Sequence, residues 1–160
     1  MNSKNIAYGA MSVALGILIL LLSLIFPTNT LAILGIASLI IPFLILKTNY
    51  KTAIMAYIAT SLLSFLFLPI NYSILYILFF GNYGIVKALI EKAQKIVTEF
   101  IIKLIYFNIV LIIGYILFTV LSLVEFKNVI FIFIIANIVF IIYDIALSKA
   151  IGQLTKYKLK

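Results

Sequence analysis

The stretch Ile6–Pro27, IAYGAMSVALGILILLLSLIFP, holds no charged side chain over its whole length. As a helix rising about 1.5 Å per residue it spans the roughly 30 Å hydrocarbon thickness of a bilayer. Its two halves differ. The second is leucine and isoleucine, which lipid favours. The first carries Ala7, Gly9, Ala10, Ser12, Ala14 and Gly16 at helical spacing, a smooth surface that lipid alone does not require.

The rest of the chain repeats the apolar pattern. Of 160 residues, 66% are hydrophobic and 10% charged, and the mean hydropathy of +1.34 lies far above that of soluble domains. Cutting at polar or Pro/Gly punctuation (PTNT, KTNYK, PINY, KALIEKAQKIVTEF and EFKN) predicts six spans: Ile6–Phe26, Leu31–Leu46, Thr52–Leu68, Tyr72–Ile90, Phe100–Val124 and Val129–Ser148. The expected fold class is an all-α polytopic membrane protein, with residues 1–160 forming one six-helix transmembrane domain. The first span is expected to be a mature helix and not a signal peptide, because no small-x-small cleavage site ends it and further spans follow.

Lysine distribution predicts orientation. Lys127 is the one lysine of twelve assigned to the side opposite the termini; Lys4, Lys47, Lys51, Lys87, Lys92, Lys95, Lys103 and the tail lysines fall together. The positive-inside rule then places both termini in the cytoplasm, with the cell membrane as the expected location. The net charge of +8 follows from this topology and from attraction to anionic lipid, so no nucleic-acid partner is expected.

Cysteine and histidine are both absent, and the acids are only Glu91, Glu99, Glu125 and Asp144. No metal cluster, nucleophile triad, close carboxylate pair or phosphate-binding P-loop can be read from the chain. No enzymatic activity, metal or cofactor is expected.

The informative residues are polar groups within apolar spans. Asn82 and Tyr83 lie between Gly81 and Gly84 in FFGNYGIVK, Asn108 lies in the fifth span and Asn137 in the sixth. An amide in hydrocarbon must find a partner, and interhelical hydrogen bonding and ligand contact both supply one. Asp144 is placed about a turn from its helix end, where it can snorkel to water or reach Lys149. KALIEKAQKIVTE reads as a continuation of the fourth helix lying in the membrane interface. Polar and tyrosine residues concentrate on the outer side. The expected binding cavity opens there among the last three helices and the first loop, lined by Tyr72, Tyr76, Tyr115, Thr119 and Asn137. Asn71 joins the set, and Glu125 and Lys127 form a lid.

Smooth faces let membrane helices approach closely. Ala7, Ala10 and Ala14 form one stripe of the first span, with Gly9, Ser12 and Gly16 beside it. The third span repeats the device with Ala53, Ala56, Thr60 and Ser64. These faces serve packing within the fold or docking on another protein.

A six-helix chain of this size that opens with IAYGAMSVALGILIL and carries Ala10-x-x-x-Ala14 resembles the substrate-binding S components of energy-coupling factor transporters. The resemblance implies that a vitamin or similar micronutrient binds near the outer face. It also implies docking of the first helix, through Ala7, Ala10 and Ala14, on a scaffold membrane subunit that works with two ATPase subunits. The residue signatures of the thiamine, riboflavin and biotin members are missing, and the outer half has few charges, so an aromatic or apolar ligand is preferred. Residue usage heavy in Ile, Lys, Asn and Tyr suggests a low-GC bacterium. Two alternatives stand beside it: a structural or assembly protein similar to the MreD-like subunits of the cell-elongation machinery, and a fragment-like member of a larger transporter fold, which would require homodimerisation through the small-residue faces.

Overall fold

A computed structural model describes residues 2–93, 96–123 and 128–158. Among them there is no strand, and six helices are long and apolar enough to cross a membrane: Ser3–Ile25, Pro27–Lys47, Tyr50–Phe67, Ile70–Ile90, Ile96–Val120 and Val129–Gln153. The chain is an all-α, multi-pass membrane protein. Large aliphatic side chains such as Leu18, Leu62, Ile105 and Ile142 are exposed around the bundle, the arrangement that suits a lipid solvent.

The first and third spans pack most intimately, for the reason their composition suggests. Gly9 and Gly16 are buried, and a Cβ on each would lie 3.2 Å from Thr52 Cγ2 and 3.4 Å from Thr60 Cγ2. Ala53, Ala56, Thr60 and Ser64 of the third span face inward and are buried. The neighbouring stripe of Ala7, Ala10 and Ala14 is exposed. The two smooth faces of the first helix therefore part company: one is internal packing, and the other is exposed on the surface of the bundle.

Two spans depart from regular α geometry, each with an identifiable cause. Pro42 lacks an N–H and crowds the preceding turn, so the second span bends at Leu39 between Thr30–Ser38 and Ile40–Lys47. In the fourth, Tyr76–Gly81 is wound as a π-helix, and the Tyr57 hydroxyl of the third span donates to the Ile77 carbonyl within it at 2.9 Å. Gly81 and Gly84 are places of close approach. A Cβ on Gly81 would stand 2.9 Å from the Tyr57 and Tyr76 rings, and one on Gly84 2.7 Å from the Pro42 ring.

The KALIEKAQKIVTE segment differs from the interfacial extension expected. The fourth helix stops at Ile90, Glu91–Ala93 form a 3-10 turn, and the fifth helix already begins at Ile96. The physical reason is that Glu91 turns inward to two lysines, described below, instead of lying in the interface. The sixth helix runs on to Lys158, well past the expected Ser148. Tyr50 donates to the Ala88 carbonyl at 3.1 Å, tying the third and fourth spans together at the end of the bundle that carries the chain termini.

Candidate functional site

The fourth, fifth and sixth helices meet through bulky faces, in contrast to the glycine and alanine contacts of the first and third. Phe107 stacks on Phe140 with ring centroids 4.1 Å apart and 9° between planes, Tyr83 meets Phe140 edge-on at 5.1 Å, and Phe79 leans on Phe107 at 5.7 Å. Rings of this size hold helix backbones apart. The result is a cleft of about 530 Å³ between the second, fourth, fifth and sixth spans. It runs from Leu31, Ala32 and Ile132, near the far ends of their helices, past Leu75, Phe79, Ile135 and Ala136, to a floor of Tyr83, Tyr106 and Tyr143. Among the described residues, none that lines it is charged.

The three floor phenols are not equivalent. Tyr143 donates to Ser38 Oγ at 2.6 Å, and Ser38 in turn donates to the Gly35 carbonyl, securing the second span next to its bend. Tyr83 donates to Asp144 Oδ1 at 2.6 Å. The Tyr106 hydroxyl is buried and has no hydrogen-bond partner among the described residues.

Beneath the floor, toward the termini, lies a closed ring of charge. Lys87 of the fourth helix contacts Asp144 of the sixth and lies 2.8 Å from Glu91; Lys103 of the fifth lies 2.8 Å from Glu91 and 3.4 Å from Asp144 Oδ2. Each ammonium thus faces both carboxylates, and the four charges cancel. Lys87 adds a bond to Ser148 Oγ at 2.7 Å. The Lys87 side chain is only 1% exposed and that of Lys103 8%, a depth tolerated because each has opposite charge and hydrogen bonds in place. At Glu91, outside the spans, burial pushes the carboxyl up, but the Lys103 and Lys87 ammonium groups outweigh it and hold the group below its ordinary 4.5.

This ring corrects the snorkelling role expected of Asp144: it points between helices to Lys87 and Lys103, not out to Lys149. Lys87 and Lys103 counted in the sequence only as orientation signals. A pattern did mark them: Tyr83, Lys87 and Glu91 recur every four residues on one face of the fourth helix, and Asp144 and Ser148 do the same on the sixth.

Of the residues expected to line an outer cavity, none lines this cleft and they do not form one group, although Asn137 and Asn108 line a separate open groove of about 610 Å³ on the fifth and sixth helices. Tyr76 is 2% exposed in a cluster with Ile17, Leu20, Leu34, Ala37 and Leu68, against which Tyr72 packs. Asn71 is half-buried in the same turn of the fourth span. Tyr115 meets Phe133 edge-on, and exposed Thr119 donates back to the Tyr115 carbonyl. Asn137 pairs reciprocally with Asn108: each amide nitrogen donates to the other's oxygen, at 3.0 and 3.1 Å, and to a carbonyl one turn back in its own helix. Both amides are thereby used in joining the fifth helix to the sixth. Glu125 and Lys127 lie outside the described residues.

No grouping of three or more acidic, histidine or cysteine side chains suited to a metal ion occurs among the described residues. The arrangement therefore offers apolar enclosure and aromatic surface next to a neutralised ionic anchor. In comparisons with known proteins, no family, curated protein or solved structure matches this chain.

Proposed function

We propose that this protein is a membrane-embedded binding subunit for an aromatic or apolar small molecule, working in the cell membrane as the S component of an energy-coupling-factor type importer. The observation that carries the reading is the aromatic cleft of about 530 Å³, within the size range of small-molecule sites and lined almost wholly by apolar side chains. Its upper residues lie at the end of the bundle away from the lysine-rich termini, which the positive-inside rule makes the outer face. The chain contributes specificity and no energy. A scaffold membrane subunit and two ATPases are the proposed partners, and the exposed stripe of Ala7, Ala10 and Ala14 suits close approach of a scaffold helix.

Native mass spectrometry of protein extracted gently from its host tests the binding role. The expected result is a stoichiometric neutral small molecule, lost when Ala136→Phe fills the cleft while the variant still inserts and stays monodisperse. Absence of any such molecule removes the binding reading and favours the assembly-protein alternative, which needs no cavity. The docking role is tested separately with Ala10→Trp and Ala14→Trp combined. Because these side chains are exposed on the surface of the bundle, the lone subunit should remain folded and bind ligand but fail to copurify with its scaffold and fail to transport. Copurification and uptake at wild-type levels would sink the docking role.

A further inference from the structure

We infer that the guest enters the cleft sideways from the lipid, between the second and sixth helices, and is therefore a rigid, uncharged molecule that dissolves in the bilayer. This rests on the cleft being a ligand site, and it names the route and the chemical class of the ligand. The two helices are tied at the lower end of the cleft, where Tyr143 donates to Ser38 Oγ at 2.6 Å. Above that tie, Leu31 and Ala32 of the second and Ile132, Ile135 and Val139 of the sixth line the cleft and are also exposed. The wall behind them is the reverse: Phe107 and Phe140 line the same space and are only 8% and 6% exposed. An exposed row in front of a buried wall is a mouth. Depth says what it opens on. Val139 follows Val129, the start of the sixth helix, by ten residues, roughly 15 Å at about 1.5 Å per residue and about half the hydrocarbon thickness. The mouth therefore reaches mid-bilayer, where the solvent is acyl chain and not water.

The lining agrees with that route. Tyr83 and Tyr143 spend their hydroxyls on Asp144 and Ser38, and the Tyr106 hydroxyl is buried away from the cleft. A guest thus meets carbon on nearly every side, and a charged or strongly hydrogen-bonding one would lose its water with nothing in return. Hydrophobicity alone does not draw a molecule out of lipid, whose tails are as apolar as the cleft. Shape does. A flat ring meets Phe79, Phe80, Phe107 and Phe140 through ring–ring contacts and has no torsions to freeze, whereas an acyl chain must give up conformational freedom. A lipid tail fills the empty cleft, and a rigid guest displaces it.

The test uses a phosphatidylcholine whose acyl chain ends in a phenyl diazirine, a probe that cannot leave the bilayer and that carries its reactive carbon to mid-depth. The full chain in nanodiscs containing this lipid is irradiated, and adducts are mapped by peptide mass spectrometry. Outward residues such as Ile105 and Ile142 should label in any case. The expected result is additional adducts on the buried Phe107 and Phe140, removed by excess 2-ethylnaphthalene and absent from Ala136→Phe. Direct binding of 2-ethylnaphthalene is read in parallel from its fluorescence, corrected with protein-free discs. Binding of 2-ethylnaphthalene with adducts confined to outward residues overturns the lateral mouth and leaves the cleft as a site reached from water. Inner adducts that survive Ala136→Phe also overturn the route, and inner adducts that excess 2-ethylnaphthalene does not displace overturn the preference for a rigid guest. Neither binding nor inner adducts overturns the cleft as a site, and the route with it.

Discussion

Asp144→Asn keeps the size of the side chain and removes one charge from a ring that is otherwise neutral. What remains is Lys87 and Lys103 facing Glu91 alone, a net positive charge at a site where the Lys87 side chain is 1% exposed. Removing one partner of a buried ion pair costs about 3–5 kcal/mol, because the charge left behind keeps its desolvation penalty. Asparagine retains one carbonyl oxygen that can still accept from Tyr83, so the lower end, about 3 kcal/mol, is expected. A Coulomb check agrees in scale: a unit pair 4 Å apart at an effective dielectric of 20 is worth roughly 4 kcal/mol. Against a typical total of about 5–15 kcal/mol this is a large fraction. The reasoning also makes a second demand. Lys87→Met combined with Asp144→Leu removes one charge of each sign and leaves the Lys103–Glu91 pair balanced, so the double variant should be more stable than either single one. Reversible unfolding in mixed detergent micelles, followed by far-ultraviolet circular dichroism, measures wild type, Asp144→Asn, the two single variants and the double variant. Asp144→Asn within 1 kcal/mol of wild type, or a double variant whose loss equals the sum of the singles, would refute the ring as a coupled anchor.

Two further outcomes follow from the geometry. Gly84→Ala drives a methyl against the Pro42 ring, which cannot rotate away from a 2.7 Å approach, and should cost about 1–3 kcal/mol in the same unfolding assay; Gly152→Ala, with nothing within 4 Å, should be neutral or slightly stabilising. Glu91 carries a depressed pKa, so its contribution is complete above the ordinary glutamate value of 4.5 and is lost as pH falls through its lower folded value. The stability gap between wild type and Glu91→Gln should therefore hold steady from pH 7 to 5 and shrink only in more acidic solution; a gap that shrinks between pH 7 and 5 contradicts the assignment.

Hydrophobicity is additive along a chain, so the sequence alone was enough to determine that six helices cross a membrane. Each span is long and apolar whatever its neighbours do, and an unsatisfied backbone in lipid leaves a helix as its one solution. Small-residue stripes were legible for the same reason, since their spacing is a property of one helix. Which stripe is covered was not: Gly9 and Gly16 lie against the third span while Ala10 and Ala14, a fraction of a turn away, face outward, and only the rotation of the packed helix decides between them. The candidate site was still less legible. Outward tyrosines and amides suggested a polar cavity, yet Tyr76 entered the core and Asn137 was consumed by Asn108. Lys87 and Lys103, which read as orientation signals, became the buried partners of Asp144 and Glu91. Their pairing joins residues up to 57 positions apart, with the closest pairs fixed by where three helices cross. A cleft is a further remove from sequence, because it is the space left where Phe79, Phe107 and Phe140 hold backbones apart. Which polar groups inside hydrocarbon are satisfied and which, like the Tyr106 hydroxyl, are left over is set by distances between helices, a quantity no single span encodes.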